Sequence, residues 1–136
     1  MVNQYIAWYQ WRFRPKMFRL VVLIKGHFFK QQTIYQSQVD EFYKEMDEVV
    51  LEFNKILVGK NYMANNTPTI ADLLFYFEMT SLPFYGREIS NYKEIDRWFK
   101  NIYAISEVKA LTHEWFPLGK QLNEAFKQID IKKSKL

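Results

Sequence analysis

Apolar residues from Val39 to Leu57 recur at steps of three and four, taking in Phe42, Tyr43, Met46, Val49, Val50, Phe53 and Ile56. That spacing places one broad stripe along a helix of roughly five turns. Ser37, with Asp40 three residues on, supplies the expected capping box, and Gly59 the expected stop. Asp40, Glu41, Lys44, Glu45, Asp47, Glu48, Glu52 and Lys55 fall between the stripe positions. The Glu41/Glu45 and Glu48/Glu52 spacings read as a solvated helix face rather than paired catalytic carboxylates.

The opening segment has a different pattern. Tyr5, Ile6, Trp8, Tyr9, Trp11, Phe13, Phe18 and the run from Leu20 to Ile24 cover nearly the whole circumference of a helix, so this helix needs neighbours on more than one side. Pro15 predicts a kink, and residues 26–36 the connection to the next element. A third helix starts at Thr69, whose hydroxyl can cap the amide of Asp72 while the Asp72 carboxylate reaches back to the amide of Thr69. Ile70, Leu73, Leu74, Phe75, Tyr76 and Phe77 make that helix apolar almost all round, and Pro83 and Gly86 end it. Ser90 or Asn91 is the expected cap of a helix carrying Ile95, Trp98, Phe99 and Ile102; a short turn near Val108 and a last helix from Leu118 to Ile129 complete the series. With no strand pattern or repeat, the expected product is an all-α bundle of about five or six helices over residues 1–130, followed by a basic tail, residues 131–136.

Composition narrows the classes. A chain of 136 residues, 49% hydrophobic and 18% aromatic, fits one domain able to bury about 68% of the surface exposed when unfolded. The absence of cysteine removes disulfides, thiolate chemistry and Cys-ligated metals. The longest aliphatic run, Leu20 to Ile24, is far short of the ~20 residues of a membrane span. The net charge of +4 is uneven: residues 1–39 hold Arg12, Arg14, Lys16, Arg19, Lys25 and Lys30 and no acid. An acid-free, Arg-bearing start fits a presequence or a nucleic-acid footprint, but its large apolar content assigns it to the fold instead. His27 and His113 are isolated, so no metal site is expected. There is no glycine-rich phosphate loop, and Ser90 and Ser106 lie at expected helix boundaries without a nucleophile elbow. The last three residues, Ser134, Lys135 and Leu136, spell a peroxisomal address, with the cytoplasm as the default location.

The series Leu57, Gly59, Tyr62, Thr69-Ile70-Ala71-Asp72-Leu73 and Trp98 resembles the C-terminal helical domain of glutathione transferases. Val2-Asn3-Gln4-Tyr5-Ile6-Ala7-Trp8, with Arg14 six residues later, is similar to the opening of that domain in the theta class. The resemblance implies a helical domain forming the wall of an electrophile pocket, with Tyr9, Phe13 and Arg14 facing it. Tyr9 stands where the family usually has glutamine, and Trp11 is bulkier than the family residue. Thr69 and Asp72 are implied to be structural. The thioredoxin-like half that holds glutathione in that family is not among these residues, so no catalytic residue and no cofactor are expected; glutathione enters only with that half supplied.

Three functions follow. The first is a non-catalytic module that mediates protein association or serves as a structural subunit, through the first helix, with a protein partner or another copy of itself. The alternative is the electrophile-binding half of a theta-like transferase. The third is a small-ligand carrier using the aromatic pocket. No nucleic-acid partner is expected, because the aromatic residues near the basic ones are committed to packing.

Overall fold

In the computed structural model, which describes residues 1–64 and 66–133, the greasy opening segment forms one long rod. It comprises α1 (Val2–Trp8), a π turn (Tyr9–Phe13) and α2 (Arg14–Lys30). The interruption has a local cause. Pro15 has no N–H, and its ring crowds the carbonyl of Trp11 four residues back. The turn widens, and the Arg14 amide reaches back five residues to the Tyr9 carbonyl. The rod runs beyond the expected break at Gly26 because that glycine is buried inside α2; the turn comes at Gln31, in the left-handed conformation.

The long stripe becomes α3 (Gln36–Ile56), with Val39, Phe42, Met46, Val49, Val50 and Phe53 buried. Its cap, Tyr35, lies two residues earlier than the sequence suggested. Gln38 accepts the Tyr35 amide at 2.9 Å, and Ser37 sits within the first turn. Gly59 closes the exit with φ of +71°.

α2 and α3 pack side by side, and their charges interlock. Arg12 forms a bidentate pair with Glu52 and Arg19 contacts Glu45 and Glu41, so residues rising along the rod meet residues descending along α3. The acid-free opening segment is thus complemented by the acidic face of α3, which is less fully solvated than its pattern implied. These pairs are half exposed and each contributes modestly, ~0.2–1 kcal/mol.

α4 (Ile70–Met79) sits centrally against α1 and α5 (Lys93–Tyr103). It is not buried all round: Ala71, Asp72, Phe75, Tyr76, Glu78 and Met79 face inward, whereas Ile70 and Phe77 reach solvent. The helix near residue 90 begins later than expected, at Lys93, with Ser90 and Asn91 in a preceding 3₁₀ turn. Its exposed amides are satisfied by α3 rather than locally, since Asn54 Oδ1 accepts from both Glu94 N (3.0 Å) and Ile95 N (3.1 Å).

The stretch read as a turn near Val108 is α6 (Ser106–Thr112), and α7 (Trp115–Phe126) follows. Two short strands also form. β1 (Ile34–Tyr35) pairs in parallel with β2 (Ile131–Lys132), so the chain docks onto the connection between α2 and α3 just after α7. The protein is an all-α bundle around an aromatic core in which Phe75 contacts Phe53 (4.7 Å between centroids) and Phe13 (4.8 Å), and Phe53 meets Trp98 edge-on at 5.0 Å.

Candidate functional site

Tyr9, Phe13 and Arg14, named from sequence, are gathered at the π turn. The widened turn aims them differently. Phe13 is fully buried among Trp8, Phe53 and Phe75. Tyr9 is almost buried, and its hydroxyl donates to Glu78 Oε1 at 2.7 Å. Arg14 Nη1 donates to the Tyr9 oxygen at 3.1 Å and pairs directly with Glu78, while its guanidinium lies 5.1 Å from the Phe18 ring centre.

The electrostatics of this group are those of a closed network. Burial, reinforced by the bond to Glu78, pushes the Tyr9 hydroxyl up to about 12, so it is neutral at ordinary pH. The hydrogen bond to Tyr9 raises Arg14 above its ordinary value, keeping it a fixed cation. Glu78, nearly buried in α4, has both neighbours as donors. The arrangement ties the rod to α4; a buried carboxylate is tolerated only when paired in this way. The Arg14 side chain keeps half its surface exposed beyond the pair. The cleft of about 700 Å³ elsewhere on the molecule is bordered by Tyr43, Arg87, Lys120 and Lys127, and none of the three π-turn residues lines it.

Glu78 was not singled out from the sequence, although a signal was available. A lone acid in the otherwise apolar stretch Leu73 to Met79 needs a partner when its helix is central.

Thr69 and Asp72 form the expected capping box. Asp72 Oδ2 accepts the Thr69 amide at 2.9 Å and the Thr69 hydroxyl at 3.1 Å. The other oxygen, Oδ1, accepts the Met63 amide at 2.9 Å and the Trp98 indole N–H at 2.8 Å. A local cap is therefore also a junction of the preceding loop, α4 and α5, with Asp72 fully buried.

His27 and His113 face backbone carbonyls, those of Gln32 and of Lys109 and Ala110 respectively. No group of three His, Asp or Glu side chains able to hold a metal occurs among the described residues. No helix among them is long and apolar enough to cross a membrane. Ser134, Lys135 and Leu136 lie outside the described residues.

Comparison with known proteins agrees with this fold. The solved structure of glutathione S-transferase unclassified 2 from Bombyx mori superposes with a TM-score of 0.65 at 25% identity, covering 97% of this chain and 56% of that one. The chain thus spans little more than half the length of that transferase. Residues 13–105, which run from Phe13 at the end of the π turn through the α3 stripe, the Asp72 junction and Trp98, match the family model described as glutathione S-transferase, C-terminal domain. The chain belongs to the glutathione S-transferase C-terminal domain family.

Proposed function

We propose that this domain is a non-catalytic association module that joins a second copy of itself, or another protein, through the first rod. The observation that carries this reading is an outward stripe on the rod. Trp11 (85% exposed), Val22 and Phe29 (81% exposed) follow one line, with half-buried Phe18 between them. Their spacings of seven, four and seven residues are those of a helix-pairing seam. Monomers rarely leave such a row open to water. The catalytic-looking side chains on the same rod are engaged internally, which supports an architectural role.

Sedimentation velocity across a wide concentration range tests it. The wild-type chain is expected to self-associate, and the double variant Trp11→Glu/Phe29→Glu to run as a monomer with an unchanged helical circular dichroism spectrum. A wild-type chain that stays monomeric at high concentration overturns self-association.

A second reading is favoured by the overlay of nearly the whole chain on just over half of a glutathione S-transferase. Here the domain is the electrophile-binding half of a theta-like transferase, with Arg14 at the pocket wall, Tyr9 and Phe13 packed behind it, and glutathione held by a thioredoxin-like domain. The chain alone then shows no glutathione conjugation above background, and activity appears only when that domain is supplied. In either reading the protein is assigned to the cytoplasm by default, with Ser134-Lys135-Leu136 as a peroxisomal address; fluorescent fusions with and without those residues decide between the two.

A further inference from the structure

We propose that the groove between α2 and α7 binds a free medium-chain carboxylate, its alkyl tail in the groove and its head on Lys25. The groove encloses about 320 Å³ and is walled by Val21 and Ile24 of α2, Phe84, Leu122 and Phe126 of α7, and Ile129. Lys25 is the single charged residue of the lining, and among the described residues it forms no ion pair. An apolar slot with one uncommitted cation is complementary to an amphiphile with one anionic end.

The dimensions favour an alkyl chain over a protein segment. A helix with its side chains is about 10 Å across and needs several pockets in register, whereas this slot is one continuous space at the small end of ligand cavities. Phe28, on the next turn of α2, stands largely in solvent at one edge, where it can fold over a bound tail. The site is distinct from the stripe of Trp11, Val22 and Phe29, and from the Tyr9, Arg14 and Glu78 network, so its occupancy is separable from association.

Isothermal titration of the chain with octanoate, decanoate and dodecanoate, below their aggregation limits, tests the proposal. Affinity is expected to rise about fourfold for each added methylene until the groove is filled. Lys25→Glu is expected to weaken dodecanoate about tenfold while leaving dodecanol within roughly twofold, because only the acid meets the changed charge. Ala125→Trp, which adds bulk at a solvent-exposed residue of the lining, is expected to abolish binding of both. Leu122→Trp at the exposed edge is the companion variant in case the first does not fold, with circular dichroism as the check. Three results overturn the proposal: no dodecanoate binding by the wild type, equal losses for acid and alcohol in Lys25→Glu, or wild-type binding by a folded groove-filling variant. Binding to phosphatidylserine vesicles without binding to the free acid also overturns it.

Discussion

The indole N–H of Trp98 donates to Asp72 Oδ1 at 2.8 Å, across 26 residues of sequence, and shares that oxygen with the Met63 amide. Through this bond the start of α4 is fixed to the middle of α5 before any apolar contact between them is counted.

Removing the carboxylate should therefore cost more than a cap. Asp72→Ala loses the cap and leaves the Met63 and Trp98 donors without an acceptor in a dry site, an expected loss of about 3–5 kcal/mol. Asp72→Asn keeps one accepting oxygen for four donors and should fall between. Trp98→Phe, which removes one donor and leaves a small void, is expected to lose less than Asp72→Ala. Urea denaturation followed by circular dichroism gives the order, and equal stability of Asp72→Ala and wild type would contradict the junction.

Asn54 offers a second long-range cap. Its carbonyl accepts the amides of Glu94 and Ile95 at the start of α5. Asn54→Ala should cost about 1–2 kcal/mol, in the range of a lost N-cap, although position 54 lies in another helix. Amide hydrogen exchange should show the excess opening at residues 94 and 95 rather than along α3.

Tyr9 predicts a dependence on alkaline pH. Its hydroxyl is shifted from 10.0 to about 12 in the folded protein. Between those values the native state holds the proton that the unfolded chain has released, so stability falls as pH rises through 10 and levels near 12, by up to about 1.4 kcal/mol per pH unit. Tyr9→Phe removes this contribution. Melting temperatures from pH 9 to 11.5 should decline less steeply in the variant, and parallel declines would refute the assignment.

Gly86 holds φ of +73° in the turn after α4. A methyl group there would stand 3.4 Å from the Asn123 amide nitrogen, which donates to the Phe84 carbonyl at 2.7 Å. Gly86→Ala is expected to cost roughly 1–2 kcal/mol through the left-handed backbone alone. At Gly59, with φ of +71° and open space around it, a similar loss should follow from conformation without any packing effect.

Much of the fold was legible because α3 and α5 display their burial as a period. The Val39 to Leu57 stripe and the row of Ile95, Trp98, Phe99 and Ile102 identify a helix and its inward face together. Where apolar residues surround the helix the period is silent. In α4 the inward face could not be told from the outward one, and Ile70 and Phe77 proved to be outside. The start of α5 was misplaced because its cap came from outside the local segment, from Asn54 of α3. The two-residue strands carry no alternation to detect.

The sequence by itself determined the helical class, the capping box at Thr69 and Asp72, and the charge imbalance of the opening segment, since each is written in spacing or composition within one stretch of chain; the family was legible as a resemblance of motifs from Val2 to Trp98. Only the tertiary structure decided that Arg14 and Tyr9 close on Glu78, that Arg12 and Arg19 meet the acids of α3, and that Trp98 completes the Asp72 junction. Those pairings join residues 22 to 69 positions apart. Which side chains meet at such separations depends on how rods pack and on the extra residue in the π turn, and neither is encoded in a local pattern.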